Sequence, residues 1–230
     1  MTKVLVCDYD KTFYLKDLDI IKNIKMVKQF RSLGNLFIIA TGRSYYDFMK
    51  KKNKYNIEYD YVLLNHGATI IDNQDNVLYN YPINEDINSI KNNLELSKSM
   101  EYFCCSKLDS RVEFNHDNLT KIAVRYLPLV NIPKIKENLD SKFHNINCYL
   151  VSTNMLEIIS NNIDKSKALK ILINDLHIDK SQVYTIGDSY TDINMVRDFN
   201  GYCMKGSIQE LRNVSQEEYK SVSELVKKII

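Results

Sequence analysis

Short, mostly apolar runs recur towards both ends of the chain, and each stops abruptly at a cluster of polar residues. VLVC at 4–7 is followed by Asp8, Tyr9, Asp10, Lys11 and Thr12; LFIIA at 36–40 by Thr41, Gly42 and Arg43; YVLL at 61–64 by Asn65, His66 and Gly67. VYTI at 183–186 is followed by Gly187 and Asp188, with Asp192 close behind. Continuous rather than alternating apolar runs mark strands covered on both faces. Segments of helical period separate them, for example Ile20, Ile24, Val27 and Phe30, halted near Gly34. This alternation predicts a doubly wound parallel α/β core of Rossmann-like type. In open sheets of that kind ligands gather at the C-terminal ends of the strands, where all four polar clusters fall.

The alternation breaks near Pro82. A helical stretch over 84–98 leads into candidate strands at 102–106, 111–114 and 122–127. A helix opening near Pro133 and two more strands at 148–151 and 156–160 follow. Helices and strands grouped in this way predict an α+β module with an antiparallel sheet inserted into the parallel domain. The expected division is a core of 1–81 and 157–230 with an inserted module over 82–156.

Composition limits the functional classes. The chain is 44% hydrophobic with only 3 Pro and 6 Gly, enough for a packed core and unlike a disordered segment. Lys and Arg (31) nearly balance Asp and Glu (29), so the net +2 gives no overall field for nucleic acid or an anionic membrane. The 16 Tyr have no basic stripe beside them and predict packing, not base stacking. Cys7, Cys104, Cys105, Cys148 and Cys203 form no Cys-x-x-Cys pair, which predicts a reducing, cytoplasmic setting. No apolar run approaches the ~18 residues of a membrane span, and neither a leader nor an anchor is expected.

The polar clusters predict phosphoryl chemistry. Asp8, Asp188 and Asp192 would repel one another if gathered at one edge, unless a hard cation lies among them. Mg²⁺ suits an all-oxygen donor set completed by substrate phosphate. A carboxylate kept ionised in that setting can attack phosphorus, which makes Asp8 the candidate nucleophile. Asp10, two residues on, is placed to carry a proton to the leaving oxygen and from the attacking water. Thr41 offers a hydroxyl, and its junction with Gly42 an exposed N–H, to phosphoryl oxygens. Lys165 adds a cation to the same group. Arg43 either reaches the substrate or pairs with a carboxylate. His66 fits a hydrogen-bonded loop histidine better than a catalytic one.

D-Y-D-K-T at 8–12, T-G-R at 41–43, K-S-K-A-L at 165–169 and G-D-S-Y-T-D at 187–192 together resemble the four motifs of the haloacid dehalogenase superfamily. The insertion between the second and third motifs resembles the C2 type of cap found in the Cof-like, type IIB group. The resemblance implies a Mg²⁺-dependent phosphatase of small phosphorylated metabolites, sugar phosphates among them, working through an aspartyl-phosphate on Asp8. It implies Mg²⁺ held by Asp8, the Asp10 carbonyl and Asp188, with Asp192 in support. A phosphomutase using the same Asp8 and Asp10, or a non-catalytic metabolite-sensing module, are the alternatives. Two positions depart from the family pattern: Lys11, where glycine is usual, and Thr191, where asparagine is frequent. Both flank the site, so altered turn geometry or substrate contacts are expected. Lys167 competes with Lys165 for the lysine of the third motif, but K-x-x-A-L favours Lys165.

Overall fold

A computed structural model describes residues 2–230. The chain runs β1 (Val4–Asp8), α1 (Asp17–Ser32), β2 (Leu36–Ala40), α2 (Tyr45–Tyr55), β3 (Tyr61–Leu64), β4 (Thr69–Asp72) and β5 (Val77–Asn80). It continues through α3 (Ile87–Asn93), β6 (Ser99–Ser106), β7 (Asp109–Val112), β8 (Lys121–Tyr126), α4 (Ile132–Lys142), β9 (Ile146–Ser152) and β10 (Met155–Ser160). The last part comprises α5 (Lys165–Asp175), β11 (Val183–Gly187), α6 (Ile193–Asp198), β12 (Asn200–Met204), α7 (Gln209–Arg212), β13 (Glu218–Tyr219) and α8 (Val222–Ile229).

Two sheets result. The larger has the order β13-β12-β11-β1-β2-β3-β4-β5, parallel from β13 through β3. Its runs are apolar throughout because both faces are covered. Leu5, Cys7, Phe37 and Ile39 pack with Ile20, Val27 and Phe30 of α1 and Leu225 and Val226 of α8. Val4, Val6, Ile38 and Ala40 point the other way, onto Ala168, Leu169 and Leu172 of α5. β1 lies between β2 and β11, from which the chain winds outwards in opposite directions, β2 on to β3 and β11 on to β12, so the crevice lies at the carboxyl end of β1.

The sequence pattern did not anticipate the antiparallel hairpin β4–β5, which extends the otherwise parallel sheet beyond β3. Its turn is closed locally by the Asp72 carboxylate, which accepts from the backbone N–H of Gln74 and Asn76 at 2.9 Å each. The polar tetrad N-Q-D-N between TIID and VLYN is the signal for it.

The second sheet, ordered β7-β6-β8-β10-β9, is antiparallel throughout. Ile122, Val124, Leu156 and Ile158 bury one face against Ile90 of α3 and Ile135 and Leu139 of α4. β10 pairs within this sheet through Ser160, so the expected boundary after residue 156 falls inside a strand. The predicted helix over 84–98 is shorter, because Asp86 caps its start and Glu95 adopts a left-handed conformation (φ 48°) that ends it. No helix among the described residues is long and apolar enough to cross a membrane.

Candidate active site

β1 delivers Asp8 at its last residue, and the chain then turns sharply. Phe13 N–H donates to the Asp8 carbonyl at 3.1 Å, and Lys11 N–H to the Tyr14 carbonyl at 2.8 Å. Lys11 sits at φ 62°, a region that disfavours a Cβ by about 1–2 kcal/mol. The position therefore suits glycine, and the Lys11 side chain lines the cleft above it.

Three carboxylates meet here. Asp8, Asp188 and Asp192 each offer an oxygen within 4.8 Å of the others. Lys165, at the first turn of α5, is buried with its Nζ 2.6 Å from Asp8 Oδ1 and 2.6 Å from Asp192 Oδ1. Asp164 caps the helix by accepting from Lys167 N–H at 2.7 Å, which fixes where Lys165 begins. Gly67 makes room for that start: a Cβ there would lie 2.7 Å from the Asp164 carbonyl oxygen. Lys167 instead donates to the Asn161 carbonyl, away from the carboxylates.

Both oxygens of Asp192 are engaged. Its Oδ2 accepts from Asp188 N–H (3.1 Å), Ser189 N–H (3.0 Å) and Ser189 Oγ (3.0 Å), while Oδ1 takes Lys165. Asp192 thus clamps the loop that carries Asp188. Thr12, fully buried, donates to Asp188 Oδ1 at 3.2 Å and aims it from the opposite side.

Burial pushes the Asp8 carboxyl well above the usual carboxylate range, opposed by Lys165 and reinforced by Asp192 and Asp188. Asp188 is raised to about 6, by burial first and then by Asp192. Burial disfavours the Lys165 ammonium, but Asp192 and Asp8 override it and hold it charged. One lysine among three carboxylates leaves a negative surplus, and the donors are all oxygen. The residues therefore fit a small hard cation.

Gly42 and Arg43 of the T-G-R loop line the same cleft as Asp8 and Asp188. Thr41 is buried, and its Oγ accepts from Arg43 N–H at 3.1 Å. The Thr41 carbonyl accepts from His66 N–H at 2.9 Å. Gly42 N–H has no protein acceptor among the described residues. A Cβ on Gly42 would stand 2.4 Å from His66 Cε1, so only glycine lets the loop pass that ring. Of the two roles expected for Arg43, the structure shows a carboxylate pairing. Its Nε and Nη2 donate to the two oxygens of Asp10 at 2.8 Å each, a bidentate pair.

A second buried charge cluster lies where the sheets meet. Glu157 of β10 accepts from Lys121 of β8 at 3.0 Å and contacts His66 Nε2 at 2.5 Å; Lys121 also donates to the Gly42 carbonyl at 2.6 Å. Sequence reasoning passed over Lys121 and Glu157, although a charge inside an apolar strand such as KIAVRY or MLEIIS is itself a signal. Together with Glu101, Phe103, Arg111, Arg125 and Met155, both residues line a cleft of about 550 Å³ that also contains Asp8, Asp10 and Asp188.

This cluster should shape the acid limb of stability. Burial opposes the Glu157 charge, but Lys121 and His66 outweigh it and hold the carboxyl at about 2, against an ordinary 4.5. The stabilisation is complete above pH 4.5 and disappears as pH falls towards 2, on the order of 3 kcal/mol for a shift of this size. Burial also lowers His66 below its ordinary 6.5, so the unfolded chain takes up that proton first and acid again favours unfolding. Thermal melts should show the midpoint falling below pH 6.5 and more steeply below 4.5. Lys121→Met/Glu157→Gln should flatten the steeper part.

Comparisons with known proteins agree with the four motifs. A family model for haloacid dehalogenase-like hydrolase matches residues 5–120 and 100–225. A protein of Buchnera aphidicola subsp. Schizaphis graminum, named "Putative phosphatase", is 23% identical, with 85% of this chain and 81% of that protein covered. The crystal structure of a haloacid dehalogenase-like hydrolase from Bacteroides thetaiotaomicron superimposes with TM-score 0.82 at 18% identity over 100% of both chains. A subclass IIB sugar phosphatase structure gives TM-score 0.83 at 15% identity, again over 100% of both. With the family model covering nearly its whole length, the chain belongs to the haloacid dehalogenase-like hydrolases.

Proposed function

We propose that this chain is a Mg²⁺-dependent phosphomonoesterase of small phosphorylated metabolites, working in the cytoplasm through a phosphoryl group carried on Asp8. The observation that carries the reading is the convergence of Asp8, Asp188 and Asp192 within 4.8 Å around the buried ammonium of Lys165. Asp8, Asp188 and the Asp10 carbonyl would hold the ion, with Asp192 behind them as the clamp. Bound Mg²⁺ would neutralise phosphoryl charge, so that an anionic carboxylate and an anionic ester can approach. Five buried, unpaired cysteines support the cytoplasmic setting.

The side chains divide the work. Lys165 engages Asp8 Oδ1 and leaves Oδ2 as the attacking oxygen. As the Oδ2–P bond forms, the bond from phosphorus to the ester oxygen breaks, and Asp10 gives that oxygen its proton. Asp10 as carboxylate then takes a proton from water, whose oxygen attacks phosphorus. The Oδ2–P bond breaks, releasing inorganic phosphate and restoring Asp8. A phosphoryl anion at the Gly42 loop competes for Arg43, and so frees Asp10 to carry its proton.

The far side of the cleft supports a sugar phosphate as substrate. Arg125 and Arg111 both approach the Glu101 carboxylate, at 3.2 and 4.0 Å, beside Phe103, Leu150, Val151 and Met155. Polar donors and acceptors set against apolar surface suit the edges and faces of a sugar ring. A subclass IIB sugar phosphatase has the same fold. Phosphate release should be measured over sugar phosphates and an aryl phosphate, in MgCl2 and in EDTA. Turnover should require MgCl2. Arg125→Ala should raise KM for the best sugar phosphate ~10-fold or more beyond any change for the aryl ester, the size of a lost charged hydrogen bond. Absence of phosphate release from every ester would defeat the reading, and retention of the phosphoryl group on a re-formed isomer would favour the mutase.

A further inference from the structure

The cluster formed by Lys121, Glu157 and His66 joins the inserted sheet to the core at the T-G-R loop. Its members are almost fully buried: Lys121 is 2% exposed, His66 4% and Glu157 6%. A fully desolvated ion pair is a poor source of stability, because removing two charges from water offsets most of their attraction. What distinguishes this pair is the second bond of Lys121, 2.6 Å to the Gly42 carbonyl.

That bond fixes a peptide plane. The carbonyl of the Gly42–Arg43 peptide is held by Lys121, and its N–H, on the opposite side of a planar trans unit, donates to Thr41 Oγ at 3.1 Å. With a lone pair of Thr41 Oγ thus occupied, the hydroxyl proton is left to donate elsewhere, and no described residue accepts it. The preceding peptide is held in the same manner, its Thr41 carbonyl accepting from His66 N–H and its Gly42 N–H left free. Two unspent donors, Thr41 O–H and Gly42 N–H, therefore belong to a loop whose carbonyls are both pinned. His66 holds the first through its backbone and, through its ring, holds the Glu157 that braces Lys121.

We propose that Lys121, supplied by the inserted sheet, is a positioning residue for phosphoryl binding: it acts through the Gly42 carbonyl and the Arg43 N–H of the same peptide to keep the Thr41 hydroxyl set for the phosphoryl group. This rests on the reading of the T-G-R loop as the phosphoryl-binding loop. It also makes assembly of that loop depend on the inserted module being seated on the core, since Lys121 lies in β8 and Gly42 follows β2. Lys121 does not touch the reacting atoms.

The test removes both charges together, so that no carboxylate is left buried without its cation. Lys121→Met/Glu157→Gln should melt within a few degrees of wild type in MgCl2, yet lose ~10- to 100-fold in kcat on a small aryl phosphate, the usual effect of removing a partner that orients a contacting group. KM should change less than kcat. Orthovanadate, a phosphoryl mimic, should bind ~10-fold more weakly by calorimetry. Because the action runs through Thr41, adding the pair to Thr41→Val should cost little beyond Thr41→Val alone. Wild-type kcat and vanadate affinity in a folded double variant would overturn the proposal, as would full additivity with Thr41→Val. If the double variant does not fold, nuclear magnetic resonance of the nitrogen-labelled wild type decides: the Lys121 ammonium signal should shift with the Arg43 amide when vanadate binds, and an unmoved signal refutes the role. A wild type that binds vanadate in this Lys121-dependent way but hydrolyses no ester would defeat the phosphatase reading and leave the proposal standing.

Discussion

Asp8→Asn should abolish turnover, lowering kcat by ~10⁴ or more on any ester the wild type accepts, because the step lost is formation of a covalent bond to phosphorus. The fold should survive. Burial raises the Asp8 carboxyl and the neighbouring Asp192 and Asp188 raise it further, which means that its charge is disfavoured where it stands. Asn has nearly the same shape and no charge, so melting in EDTA should occur at or above the wild-type midpoint. The MgCl2-induced rise in midpoint should shrink, one anionic donor having gone. Acid quenching during turnover, followed by peptide mass analysis, should find a phosphoryl group on the Asp8 peptide of wild type and none in the variant. Turnover by Asp8→Asn within ~10-fold of wild type would exclude Asp8 as nucleophile.

How much of this was legible in the sequence depends on range. Asp8, Thr41 and Asp188 each end an apolar run, and a parallel sheet brings run ends to one edge, so their gathering followed from pattern alone. Lys165 was legible from helix chemistry, with Asp164 as its cap one residue earlier. Thr12 lay within a quoted motif, but its bond to Asp188 spans 176 positions and has no local trace. Arg43 likewise had several possible partners until the turn after β1 brought Asp10 against it. Lys121 and Glu157 were missed because strand pairing in the inserted sheet, β8 beside β10, is what joins them. Each charge alone sits in an apolar strand, where only a partner from another strand explains it. The β4–β5 hairpin escaped for a different reason: its turn is held by one aspartate rather than by the glycine-containing dipeptides that usually announce a hairpin.

Lys165→Met should produce the second large loss, and its dependence on metal should separate two roles of one side chain. The ammonium is the only cation bonded to the cluster among the described residues, shared between Asp8 and Asp192 at 2.6 Å each. Removing it leaves three carboxylates within 4.8 Å and uncompensated, Asp8 and Asp192 buried and Asp188 partly so. Breaking a buried ion pair from one side typically costs 3–5 kcal/mol. In EDTA the variant should therefore melt well below wild type, at a midpoint lower by roughly 10 °C for a chain of this size. Because Asp8 is raised partly by Asp192 and Asp188, and Asp188 partly by Asp192, the released cluster should also hold protons to higher pH, and the deficit in midpoint should narrow on acidification below about 6. MgCl2 should restore much of the lost midpoint, since a divalent ion answers the same surplus of charge. It should not restore turnover: Asp8 Oδ1 would still lack the donor that leaves Oδ2 as the attacking oxygen, and kcat should remain ~10³-fold down. Melting in EDTA and MgCl2 across pH, with kcat measured in parallel, tests both halves. A variant as stable as wild type in EDTA would show that Lys165 does not balance the carboxylates. Full recovery of kcat in MgCl2 would show that charge balance is all that it contributes.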